Sequence, residues 1–294
     1  MKKIFGETKP AGQLLGLTLI FVVLFIIGSG IMVVATLFGG KQDSVWLQAL
    51  SQIVIFGGSA LLFAMLFHGK PFEYLRMSRM PFKASRLVGA FLILLCVLPL
   101  SDWLANINDG WHLPESMAAL EDLLRQISAT SQALMEQYLL RDDVVSLVVN
   151  LFILALLPAL CEEMLFRGGL QQTLQRCFGN HHAAIWVTAA IFSLMHGEVF
   201  AFLPRFMLGA LLGYLFYYGG SLWVNATAHF TNNAIVVVLY HQVARGNIDY
   251  SVAETFHSPW YLAIAGLAVA AVLFAVFFKE KCGADEKCDV NSDC

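Results

Sequence analysis

The feature that most constrains this chain is its repeated run of about twenty apolar residues, the length that a helix needs to cross a bilayer. Such runs lie at about 14–38, 46–67, 87–104, 144–174, 183–195, 202–218, 222–243 and 260–278. They predict an all-α polytopic membrane protein with eight transmembrane helices. Transmembrane β-barrels are built from short alternating segments, and the chain has none of that pattern. Composition agrees: 58% of the 294 residues are hydrophobic and 13% are charged, about half the charged share of an ordinary globular chain. A net charge of −3, with no basic patch outside the loops, gives no footing for nucleic acid.

Charge in those loops sets the expected orientation. Lys70, Arg76, Arg79, Lys83 and Arg86 form the densest positive cluster, so the connection after the second span is expected inside. Lys2, Lys3 and Lys9 at one end and Lys279, Lys281 and Lys287 at the other then place both termini in the cytoplasm, as an even number of spans requires. The first run is too long for a signal-peptide core and reads as an uncleaved span. Short loops favour a bacterial plasma membrane. Residues 105–142 differ in kind: Glu115, Glu121, Asp122, Arg125 and Glu136 alternate with Met117, Leu120, Leu124, Ile127 and Leu134. This spacing predicts amphipathic helices over 113–140 lying on the outer surface, either a plain connector or a lid. Three regions follow: 1–142 with three spans and the amphipathic segment, 143–243 as a core, and 244–294 with the last span and a cytoplasmic tail.

Six cysteines fall into two groups. Cys96, Cys161 and Cys177 lie in or near apolar helices, where cysteine acts as a small hydrophobe. Cys282, Cys288 and Cys294 punctuate the tail; their spacing fits no zinc template and the terminal Asn-Ser-Asp-Cys is no prenylation box.

Within the fourth span lies Leu160-Cys161-Glu162-Glu163-Met164-Leu165-Phe166-Arg167. Ionisable groups at membrane depth are costly and mark a functional site. Glu163 and Arg167 have the favoured i,i+4 order for a helical ion pair. Glu162 projects about 100° away and has no such partner, which leaves it free to act as a general base or acid. Pro158, four residues before Glu162, removes a backbone donor and is expected to kink the helix. His196 ends the fifth span, and Asn225, His229, Asn232 and Asn233 lie along the seventh. Taken singly, such residues often do no more than join helices by hydrogen bonds. Together, carboxylate, imidazole and amide form a set able to activate water and stabilise an oxyanion: Glu162 as base with His196 holding the water, His229 and Asn233 donating to the oxyanion.

In their order and their one-motif-per-helix layout, Glu162-Glu163 with Arg167, Phe192 with His196, and Ser221-Leu222-Trp223 leading to His229 and Asn233 resemble the three motifs of the CPBP family. That family includes the CAAX prenyl endopeptidases (Rce-type and ABI proteins) and bacteriocin-processing and immunity proteins. The likeness covers about 143–240. It implies an intramembrane glutamic endopeptidase without metal or other cofactor, with Glu162 as the base, Glu163 ordered by Arg167, His196 on the water, and His229 and Asn233 as oxyanion hole. The expected substrate is a membrane-associated peptide or protein: a prenylated C-terminal peptide, a leader peptide or a transmembrane segment would each suit a membrane-embedded cavity. The sequence leaves the oligomeric state open.

Other classes stay in view. A zinc protease would draw on the same histidines and glutamates, but His-Glu-x-x-His is absent and His196-Gly197-Glu198 does not replace it. A proton-coupled small transporter would use buried Glu, Arg and His as a relay, and a non-proteolytic immunity or scaffold protein would keep the motifs without the chemistry.

Overall fold

The computed structural model describes residues 4–38, 45–78, 83–249 and 258–278; Lys2, Lys3, Arg79 and the Cys-containing tail with its lysines lie outside the described residues. Among the described residues there is no strand, and the chain is an assembly of helices. In chain order they are α1 (Pro10–Leu37), α2 (Val45–His68), α3 (Ala84–Asp109), α4 (Ala118–Leu139), α5 (Val144–Phe178), α6 (His181–Leu194), α7 (Phe202–Gly219), α8 (Leu222–Ala244) and α9 (Trp260–Phe278). The expected amphipathic segment is α4, which follows a short 3-10 turn, Glu115–Met117, with Pro114 at its N-cap. Of its described residues only Leu139 is buried.

Six segments are long and apolar enough to cross a membrane: Pro10–Ala35, Val45–His68, Ala84–Asp109, Val144–Phe178, Val199–Gly219 and Trp260–Phe278. Eight were expected from the sequence, and the remaining two, α6 and α8, are present as helices but depart from that class. α6 has 14 residues, about 21 Å of helix against a hydrocarbon core of about 30 Å. α8 has 23 residues, long enough, but Asn225, His229, Asn232, Asn233 and His241 interrupt its apolar run. These two helices carry the second and third motifs, so the departure falls where the polar chemistry lies.

Helix ends are set by local sequence. Asp143 caps α5 by accepting from the Ser146 N–H at 2.8 Å, and hydrogen bonding from the Ser146 side chain and then its backbone holds the carboxyl below the usual range. Asn180 accepts from the N–H groups of His182 and Ala183 to start α6. The α7–α8 corner needs only two residues: Gly220, at φ 71°, closes α7 in the left-handed region, and Ser221 caps α8. Arg76, the one non-glycine at positive φ among the described residues, turns its carbonyl towards this corner, where the Leu222 N–H and the Ser221 hydroxyl donate to it. The basic loop is thereby docked on the start of α8.

Of the four apolar clusters among the described residues, two are large. One joins α1, α2 and the second half of α5 through Leu17, Phe63, Ala64, Met164 and Leu165. The other joins α3, α7, α8 and α9 through Ile93, Leu94, Leu212, Leu215 and Ala228. The middle of α5 lies between α2 and α8, so its polar residues face the boundary between the two cores. α5 is not a uniform α-helix. Wider π-helical turns occupy Leu151–Leu156, just before Pro158, and Met164–Gln171, just after Glu163. The first accommodates the missing proline donor without ending the helix. The second resets the register of everything that follows Glu163.

Candidate active site

Counting back from the Gly179-Asn180 turn puts Glu162 about 24 Å up α5 and His196 about 22 Å up the antiparallel neighbour α6. The short α6 therefore ends level with the glutamates, and His196 lies where its chain leaves the helix.

Glu163 is fully enclosed, at 0% exposure. Its Oε1 accepts from Arg167 Nη1 at 2.6 Å and is 2.8 Å from His229 Nδ1, while the Asn225 amide donates to Oε2. Arg167, equally enclosed, sends its other branch to the Gly209 carbonyl on α7 at 2.9 Å. One turn on, the Gln171 amide donates to the Gly213 carbonyl at 3.1 Å. This pairing needs glycine at both α7 positions: a Cβ on Gly209 would lie 3.1 Å from the Ala189 backbone, and one on Gly213 would lie 2.8 Å from Gln171 Oε1. Gly-x-x-x-Gly spacing lets α7 pack closely on α6, through Ala189 and Ile185, and leaves its Gly209 and Gly213 carbonyls to accept from Arg167 and Gln171 on α5. The ion pair read from the spacing is present, and the structure adds Asn225 and the two carbonyls that make so much buried polarity tolerable.

Glu162 is also buried but is held differently. Gln52 Nε2 on α2 donates to its Oε1 at 3.2 Å, and its Oε2 lies 3.9 Å from His229 Nε2. His229 therefore stands between the two glutamates, with Nδ1 committed to Glu163 and Nε2 facing Glu162. The His196 Nδ1 is 2.8 Å from the Phe192 carbonyl, an acceptor that fixes the N–H on Nδ1 and leaves Nε2 as the outward acceptor. His196 itself is exposed.

Phe192 ties the three motifs together. Its ring meets the rings of His196 and His229 edge-on, at 4.8 and 6.0 Å, and the Arg167 guanidinium lies over it at 4.7 Å. Asn233, one turn beyond His229, is half-buried, and its amide oxygen accepts from Asn232 Nδ2 at 3.2 Å. Among the described residues it has no hydrogen bond to the other site residues. Asn225 and Gln52 were not placed in the site from sequence. Asn225 lies one turn before His229 on the same face, a signal that was there to use; Gln52 had none.

Over the exposed side runs α4. Arg125 places its guanidinium 3.9 Å from the Phe200 ring, and Asn108 brackets the same loop, donating to the Val199 carbonyl and accepting from the Leu203 N–H. The loop that carries His196 is thus pinned from above. Among the described residues, no three His, Cys, Asp or Glu side chains are grouped so as to hold a metal ion.

Fold and site together define a polytopic membrane protein with a buried Glu, Arg, His and Asn centre shared by α5 and α8. Residues 144–235 match the family described as type II CAAX prenyl endopeptidase, Rce1-like, a stretch that includes Glu162, Glu163, Arg167, His196, His229 and Asn233. Over that stretch the chain is similar to Rce1-like proteins, and the match reaches all three helices that carry the polar motifs. It is also 32% identical over 111 residues to the uncharacterised protein YpbD of Bacillus subtilis (strain 168), covering 35% of this chain and 52% of YpbD. The match thus spans about half the length of that relative. No solved structure matches.

Proposed function

We propose that the protein is a membrane-embedded endopeptidase that hydrolyses a peptide bond of a membrane-associated substrate without a metal ion. The asymmetry of the two glutamates carries this reading. Glu163 has both oxygens occupied by Arg167, His229 and Asn225, whereas among the described residues Glu162 Oε2 has only the 3.9 Å approach of His229. A base must have a free oxygen to receive a proton.

In this mechanism Glu162 Oε2 and His196 Nε2 accept the two protons of one water, which leaves the water oxygen to attack the peptide carbonyl. Glu162 takes a proton as the new C–O bond forms. His229 donates from Nε2 to the oxyanion while its Nδ1 stays on Glu163; the Asn233 amide supplies a second donor. Glu162 then returns the proton to the leaving amine as the C–N bond breaks. Both termini face the cytoplasm of a bacterial plasma membrane, and the substrate enters from the bilayer with a prenylated or leader-type peptide.

The test is hydrolysis by purified protein of a quenched fluorescent peptide ending in a farnesylated cysteine and three residues, beside an unprenylated copy and a leader-type peptide. Glu162→Gln is expected to lower turnover by about 10²–10⁴-fold with the fold intact, and a chelator to leave it unchanged. Wild-type turnover retained by folded Glu162→Gln would sink the peptidase reading in favour of a scaffold role. Activity lost to chelator and restored by zinc would overturn the metal-free mechanism. Comparative proteomics of membranes with wild type and Glu162→Gln identifies the natural substrate as the precursor that accumulates.

A further inference from the structure

One buried polar side chain reaches the glutamates from outside residues 144–235. Gln52 begins the π-helical segment Gln52–Gly58 of α2 and is 8% exposed. An amide there is costly unless it is bonded, and its Nε2 has one hydrogen bond, to Glu162 Oε1 at 3.2 Å. Close approach of the two helices allows it: a Cβ on Gly57 would lie only 3.1 Å from the sulfur of Cys161, the neighbour of Glu162. The other half of the amide, Gln52 Oε1, is buried and has no hydrogen-bond partner among the described residues. Gln171 Oε1 and Asn225 Oδ1 are buried without a partner in the same way, so what sets Gln52 apart is that its one hydrogen bond goes to Glu162.

We propose that Gln52 is a positioning residue for Glu162: its amide pins Oε1, so that Oε2 is the oxygen presented to His229 and to the water. The inference rests on the peptidase reading of Glu162. A carboxylate turns about a soft terminal torsion, so without a fixed donor its two oxygens share the role and the productive one is held only part of the time. A neutral donor suits this task. Arg167 holds Glu163 with a full charge, which would quench a base; an amide orients its carboxylate without neutralising it. Oε1 of Gln52 then remains as an acceptor for a donor arriving at Glu162, such as a substrate N–H.

The experiment uses the full chain in detergent micelles and the farnesylated peptide. Gln52→Met keeps the length of the side chain and removes the donor. It is expected to lower kcat about 10–100-fold with KM within about twofold, the signature of a misplaced reacting group. Gln52→His, which restores an N–H, should recover part of the loss. Unchanged kcat in Gln52→Met overturns the proposal, as does a fall that matches only a loss of folded protein. A second arm needs no activity: unfolding midpoints of Gln52→Met, Glu162→Ala and the double variant. If the contact is real, Gln52→Met shifts the midpoint far less in the Glu162→Ala background; simple additivity overturns it. Should wild type cleave no peptide, the peptidase reading fails by itself, and the cycle still decides whether Gln52 holds Glu162.

Discussion

Glu121 and Arg125 on α4, and Glu163 and Arg167 on α5, are the same unit in opposite surroundings. In each, the acid precedes the base by four residues, at 2.9 Å and 2.6 Å. A histidine nitrogen approaches each glutamate, His112 at 2.9 Å and His229 at 2.8 Å. Each arginine also donates to a backbone carbonyl, of Trp111 and of Gly209, and lies over a phenylalanine, Phe200 and Phe192. The side chains of the α5 pair are 0% exposed, whereas Arg125 is 34% exposed. Water competes for every partner in the first unit and for none in the second. Identical local chemistry therefore serves two ends: α4 uses it to hold a surface helix over a loop, and α5 uses it to make an anion permanent inside the bundle.

The largest test of this contrast is Arg167→Met, which leaves the Glu163 charge buried and unpaired. It should cost about 3–5 kcal/mol, read as a lowered unfolding midpoint in detergent, and abolish activity. Adding Glu163→Leu should recover part of that stability but no activity; if the double variant is as unstable as the sum of the singles, the two charges do not act as a pair. Asn225→Leu removes one donor from a charged oxygen and should cost about 1.5–3 kcal/mol, checked in the same assay. Arg125→Ala, by contrast, should leave the unfolding midpoint near that of wild type and instead speed amide hydrogen exchange in residues 196–203, the loop that Arg125 covers.

The smallest effect is that of acid on Glu121. The Leu113 N–H, with Arg125 and His112, lowers its pKa from the ordinary 4.5 to about 2. A carboxyl depressed in the folded state stabilises above its unfolded value and loses that contribution as pH falls towards the folded one. Protection of residues 112–125 from proteolysis should therefore fade between about pH 4.5 and 2, and high salt should weaken it at neutral pH. A pH-independent cleavage pattern would mean that Glu121 does not anchor α4.

Much of the site was legible because its first contacts are local. Helix geometry alone separates Glu162 from Glu163 and pairs the latter with Arg167, and the hydrogen bonds at Glu163 agree. What was not legible depends on how helices rotate against one another. Gln52 lies 110 residues from Glu162 in an ordinary apolar run, and only the close contact at Gly57 brings it there. Phe192 could be seen as part of a motif, but not as the ring against which His196, His229 and Arg167 all pack. The π-helical turn after Glu163 leaves no local trace in composition, yet it sets which way Arg167 and Gln171 face.

By itself, then, the sequence determined an all-helical membrane protein, a surface amphipathic segment and an intramembrane charge cluster split by role, because burial in lipid and helical period act residue by residue. Only the tertiary structure decided which amides and carbonyls partner the Glu163–Arg167 pair and which oxygen of Glu162 is left without a close hydrogen bond. Those outcomes belong to contacts between distant segments, where close approach at a few glycines sets geometry that no single stretch of sequence contains.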